Sequence, residues 1–273
     1  MTTAPLPLTV TERSQMRVLS ADGPEAAWQL ARRHRAPLVA GATGVQPVWE
    51  RQARWPACVV PLSADWPGFA GVTVTGDRLD IGALTPLASL AGAPALARRL
   101  PSLAPFMDRV ASPGVRQLAT LGGNLVAGGD LSALALVLEA ELRVFSGAGW
   151  HHLPLSAWPG WVRREPGALI RSVHLSIPRG CPVVLEKLGH RERFSPPRIT
   201  VACARLGTDV RVAVSGEGGP VRLAALEARL ARAGGQASAA DGEQALAELD
   251  WGNPGLRATG GRLIAHLLGR LTT

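Results

Sequence analysis

Apolar and polar positions alternate along Val72-Thr73-Val74-Thr75 and again along Arg78-Leu79-Asp80-Ile81-Gly82, and the intervening Gly76-Asp77 predicts a β-hairpin. Short apolar runs predict further strands over residues 16–19, 37–40, 57–60, 141–146, 169–170 with 173–177, 183–188, 199–206 and 210–214. Helical spacing marks a segment capped at Asp22, with Pro24 in its first turn, that carries Ala27, Trp28, Leu30 and Ala31 and ends near His34-Arg35. Thr85-Pro86 opens another helix. More are expected over residues 101–110, over 131–138 with Asp130 as cap, and over 221–233, 243–249 and 261–271. Residues 1–15 read as a loose polar arm and residues 234–242 as a small-residue linker. Composition shifts after Pro178, where strands come first and helices after. The layout is α+β, with one unit over residues 1–180 and a second over 181–273, and no repeat of fixed period.

Two glycine-bearing stretches interrupt these elements. Ala119-Thr120-Leu121-Gly122-Gly123-Asn124 lets the backbone turn without Cβ clashes, which can bring N–H groups to a phosphate. An ordinary Gly-Gly turn is the competing reading, and for a lone Gly-Gly-Asn it is the stronger one. The strand at residues 37–40 empties into Gly41-Ala42-Thr43-Gly44-Val45, a second candidate cradle. Neither stretch carries the Gly-x-Gly-x-x-Gly of the Rossmann fold.

Composition narrows the function. A chain of 273 residues with 47% hydrophobic and 18% charged residues has the makings of one large or two ordinary globular domains. It contains no apolar run of eighteen residues, and its first ten residues lack a basic stretch leading into an apolar one; a cytoplasmic protein without a membrane span is expected. The net charge is +8, yet the arginines are scattered and Tyr is absent, which leaves little to stack on bases and argues against nucleic acid. A positive surface suits an acidic protein partner equally well. Lys187 is the single lysine, a sign that a compact ammonium is wanted there. Cys58, Cys181 and Cys203 lie too far apart for an iron–sulfur cluster, and His151-His152 would point to opposite faces of a strand, so no metal site is expected. No residue is assigned a catalytic role.

Four segments, in order, carry a resemblance. They are Ala40-Gly41-Ala42-Thr43-Gly44-Val45, Ile81-Gly82-Ala83-Leu84-Thr85, residues 110–125 ending in Ala119-Thr120-Leu121-Gly122-Gly123-Asn124-Leu125, and Lys187-Leu188-Gly189-His190-Arg191 after the strand ending at Ile177-Pro178. Together they resemble the FAD-binding (medium) subunit of the molybdenum hydroxylases, the family of xanthine dehydrogenase and carbon monoxide dehydrogenase flavoproteins. The resemblance implies a two-part FAD-binding domain of the PCMH (vanillyl-alcohol-oxidase-like) type over residues 1–180. It implies a small α+β C-terminal domain over 181–273, with a three-stranded antiparallel sheet and helices. Both glycine loops would hold the FAD diphosphate, Thr85 would belong to the same site, and Asp130 would contact the adenosine half. Leu169 or Ile170 would lie along the flavin, and Lys187 would sit near the isoalloxazine.

The implied function is electron transfer through FAD, from 2Fe–2S clusters to an external acceptor. The clusters and molybdopterin would sit on partner chains, a small and a large subunit, in a heterotrimer. A flavin-depleted structural subunit and a stand-alone flavin reductase of the same superfamily are the alternatives. The chain departs from the family pattern at Ala42, in place of a glycine, and at Gly44, in place of Asp or Ser. It departs again at Gly128-Gly129, in place of Ser-Pro, and at Leu185, in place of an aromatic. The first loop being altered, residues 119–124 are expected to carry the larger share of the grip.

Overall fold

The computed structural model describes residues 16–192, 194–232, 234 and 236–271; the polar arm expected over residues 1–15 lies outside them. The chain opens with β1 (Arg17–Val18), α1 (Pro24–His34), β2 (Leu38–Val39), α2 (Gln46–Gln52) and β3 (Cys58–Pro61). The three strands form a parallel sheet in the order β1-β3-β2. The α1 helix crosses over it, burying Ala27 and Ala31 against Cys58, Val60 and Phe69.

The predicted hairpin is present as β4 (Val72–Thr75) and β5 (Arg78–Gly82), turning at Gly76 with φ 60°. Six short helices follow: α3 (Leu87–Ala91), α4 (Pro94–Arg99), α5 (Leu103–Met107), α6 (Pro113–Leu118), α7 (Leu121–Val126) and α8 (Leu131–Val137). Next come β6 (Glu141–Ser146), β7 (Gly149–Pro154), α9 (Trp158–Arg164) and β8 (Leu169–Ser176), and β4-β5-β8-β6-β7 form an antiparallel sheet of five strands. Period two sets the faces of β8: Leu169 points to the α1 side of this sheet and Ile170 to the helical side. His151 and His152 lie within β7.

The remainder is β9 (Val183–Gly189), β10 (Pro197–Leu206), β11 (Asp209–Gly216), β12 (Val221–Arg222), α10 (Ala224–Arg232), α11 (Ala239–Glu248) and α12 (Pro254–Leu271). Here the sheet has four strands, not the expected three, because residues 221–222 pair with β11 before the helix starts. Its two faces read directly from β10. Ile199, Val201 and Cys203 pack under α10–α12, while Thr200, Ala202 and Ala204 face the other way. That second face, with Leu185 of β9 and Ala213 of β11, lies on α8, whose seven residues are all buried. A helix covered on every side is apolar at every position but Ser132, and the small alanines let it approach the sheet closely. The α8 helix therefore bridges the two large sheets.

Candidate functional site

The two glycine stretches meet. A Cβ on Gly41 would lie 1.6 Å from the carbonyl oxygen of Leu118, so only glycine lets the first loop press on the end of α6. Ala42 has φ 57°, the left-handed region, at the position where the family pattern has glycine. Gly44 has open space around it, so the absent side chain there reflects no crowding. Val45 and Gln46 both donate to the Ala42 carbonyl, at 3.2 and 3.0 Å. The N–H groups of Gly41, Ala42, Thr43 and Gly44 donate to no acceptor among the described residues. Four successive unpartnered donors on a loop suit a phosphate oxygen set. Val45, Val115 and Leu118 leave exposed apolar surface on the two segments in contact.

The second stretch is organised differently from the turn expected of it. Ala119 ends α6 and Thr120 caps α7, its Oγ1 accepting the Gly123 N–H at 3.1 Å. Leu121 donates to Thr85 O at 3.0 Å, Gly122 to Ala83 O at 2.7 Å and Asn124 to Thr120 O at 2.9 Å. The amides of residues 121–124 are engaged inside the protein, which corrects the expectation that they turn toward a ligand. Gly122 is required by packing instead, since a Cβ there would sit 2.9 Å from that of Ala83. Gly123 is exposed and would meet only Thr120 Oγ1, at 3.1 Å.

Asp130 also departs from expectation. It stands at the N-terminus of α8 without capping it; Asn124 does so, its Oδ1 accepting the Leu131 N–H at 2.9 Å. Gly129 makes room for this, because a Cβ there would lie 2.5 Å from the Asn124 amide nitrogen. The Asp130 carboxylate turns inward to Lys187 Nζ at 3.0 Å and Thr200 Oγ1 at 3.1 Å. Lys187 Nζ donates further to the carbonyls of Ser195 at 2.8 Å and Arg109 at 3.2 Å. The sequence reading separated Asp130 and Lys187 to two ends of a ligand; the structure joins them in one buried pair linking α8 to β9. Burial pushes the Asp130 carboxyl above its ordinary range, with Lys187 and Thr200 opposing the rise.

Three other expected residues face inward. Thr85 bonds Gly71 through Oγ1, accepting its N–H at 3.0 Å and donating to its carbonyl at 3.2 Å. Leu169 and Ile170 are both buried in apolar cores, on opposite faces of β8, so neither side chain offers a free surface. Sequence reasoning missed Thr200, Leu118 and Arg109. Thr200 had a signal: it is the polar member of the inward-facing set Thr200, Ala202 and Ala204. Leu118 and Arg109 contribute backbone carbonyls, for which the sequence holds no mark.

Residues 14–179 match the family described as the FAD binding domain in molybdopterin dehydrogenase. The carbon monoxide dehydrogenase medium chain of Hydrogenophaga pseudoflava is 23% identical over 227 residues, covering 66% of this chain and 79% of that one. The nicotine 6-hydroxylase medium subunit of Paenarthrobacter nicotinovorans is 31% identical over 103 residues, 38% of this chain; the match spans only 36% of that relative's length. Among solved structures, carbon monoxide dehydrogenase from H. pseudoflava lacking the Mo-pyranopterin moiety superposes with a TM-score of 0.77 at 20% identity, covering 96% of each chain. Quinoline 2-oxidoreductase from Pseudomonas putida 86 gives 0.74 at 19% identity, covering 93% of this chain and 95% of that one. With more than half of its length matched, the chain belongs to the family of FAD binding domains in molybdopterin dehydrogenases.

Proposed function

We propose that this chain is the FAD-binding electron-transfer subunit of a multi-subunit molybdopterin-dependent dehydrogenase. Electrons would reach it from 2Fe–2S clusters on a small partner chain and leave to an external acceptor, with molybdopterin on a large one. The observation that carries this reading is the set of unpartnered N–H groups at residues 41–44, on a loop fixed against Leu118 by a glycine that tolerates no side chain. Bound FAD would supply the redox-active ring. The chain's own residues hold it: the first loop donates to the diphosphate, and the backbone of Leu118 and Ala119 fixes the loop's position. The exposed side chains of Val45, Val115 and Leu118 shield one side of the ligand from water. On this reading the parallel and five-stranded sheets are the two parts of a PCMH-type domain, followed by the C-terminal unit.

A flavin-depleted scaffold is the second reading, favoured by Asp130 and Lys187 binding each other and by the inward orientation of Thr85. One experiment separates them. The purified chain and its native complex are loaded with FAD and passed through gel filtration. Retained flavin absorbance that Gly41→Ala removes supports the first reading, and absence of flavin from both preparations supports the scaffold.

A further inference from the structure

Away from the glycine loops, the two large sheets enclose a cleft of about 650 Å³. We propose that this cleft binds a small carboxylic acid with an apolar body, such as an aromatic monocarboxylate. Its volume lies within the range of sites for small ligands, roughly 300–1,000 Å³. The five-stranded sheet lines it with Leu175 and Arg78, the four-stranded sheet with Leu206, Arg211 and Arg222, and Leu138 and Leu155 add further apolar lining. Guanidinium groups interspersed with leucines select a ligand with one anionic end and one apolar end.

The arginines differ in what they have free. Arg222 is engaged with Glu227 at 2.9 Å and Glu139 at 2.8 Å. Arg211 pairs with Glu139 through Nη1 at 2.7 Å, but its buried Nε has no partner among the described residues. Arg78 forms no ion pair among those residues, though its charge reaches His174. Arg78, exposed and without an ion pair among the described residues, is the guanidinium an incoming carboxylate meets first. Glu139, which orients Arg211 and Arg222, is held at φ 50°, a left-handed conformation that a residue with a Cβ adopts at a cost. Its carboxylate is what fixes two guanidinium groups at one side of the cleft. Glu141 also lines the cleft, and its charge turns the ligand's carboxylate toward Arg78 and Arg211.

Isothermal titration of the full chain with benzoate tests this, with benzamide and inorganic phosphate as comparators. Benzoate is expected to bind in the sub-millimolar range and to shift the ring resonances of His174, which lines the same cleft. Benzamide lacks the charge and phosphate lacks the apolar body, so both should bind at least about tenfold more weakly. Arg78→Gln removes an exposed guanidinium and should weaken benzoate by about tenfold, with FAD retention unchanged. Arg211→Lys keeps the charge beside Glu139 but removes the planar fork that can hold Glu139 and a second carboxylate together, and should weaken it similarly. No heat at tens of millimolar benzoate overturns the proposal, as does equal binding of benzamide or phosphate. So does benzoate affinity indifferent to both substitutions. Retained FAD in each variant keeps these outcomes apart from any failure of the flavin reading.

Discussion

At the level of single residues, the first loop carries a conformational cost at Ala42. At φ 57° a side chain is crowded against its own backbone, and relief by glycine is worth about 1 kcal/mol, somewhat offset by glycine's extra freedom when unfolded. Ala42→Gly is therefore expected to leave stability unchanged or raise it by up to about 1 kcal/mol in urea denaturation, and to retain FAD at least as well. A loss of more than that would show that the Ala42 methyl makes a contact the loop needs. The adjacent glycines of the second stretch divide by burial. Gly122→Ala drives a methyl into Ala83 and should cost about 1–3 kcal/mol, whereas Gly123→Ala displaces only the Thr120 hydroxyl and should cost under about 1 kcal/mol. A melting series on the two variants checks the order. A sequence reading cannot tell these glycines apart, because the difference lies in Ala83, a neighbour that only the fold brings beside Gly122.

Among the elements, strands were more legible than helices. The alternation at residues 78–82 follows one buried face and the apolar run at 199–206 a strand buried on both, properties each strand carries in its own residues. Helices α2, α4, α6, α7 and α9 went unread: each is six or seven residues long, too short to show a period. The helix expected over residues 261–271 begins earlier, at Pro254, and runs through Gly260 and Gly261. Those glycines serve helix packing: a Cβ on Gly261 would stand 2.3 Å from Ala239 O in α11, and one on Gly260 2.7 Å from Leu246 Cδ1. The small-residue stretch before α11 likewise hid a capping box. Ser238 Oγ accepts the Asp241 N–H at 3.3 Å while the Asp241 carboxylate accepts the Ser238 N–H at 2.8 Å. Ser238→Ala should cost about 1 kcal/mol, read as an equal fall in unfolding free energy with the denaturant slope unchanged. Asn124→Ala, which uncaps α8 at the junction of two sheets, should cost at least as much.

Across the whole molecule, the second glycine stretch and the segment after it act as a fastening. Asn124, Gly129, Asp130, Lys187, Thr200 and Ser215 join α7 and α8 to β9, β10 and β11, with Ser215 Oγ donating to Gly129 O at 3.0 Å. The single lysine was visible in the sequence as an oddity, but its partner was not, because the pairing spans 57 positions. Removing that ammonium has a pH signature whose sign follows from Asp130. Its carboxyl is already raised by burial in the folded chain, so its contribution to stability is fully present below the unfolded value and is lost as pH rises through the folded one. In Lys187→Met the strongest opposition to that rise disappears, and the folded value moves further up. Near pH 4.5 the carboxyl of the variant stays protonated when folded and little charge is stranded, whereas near pH 8 a buried carboxylate must stand alone or hold its proton against the solvent. The expected loss relative to the native chain is about 3–5 kcal/mol at about pH 8 and clearly smaller at about pH 4.5. Urea unfolding at the two pH values measures the difference, and adding Asp130→Asn to Lys187→Met should abolish it. Equal losses at both values, or a pH dependence that survives in the double variant, would mean that Asp130 is not the group Lys187 neutralises.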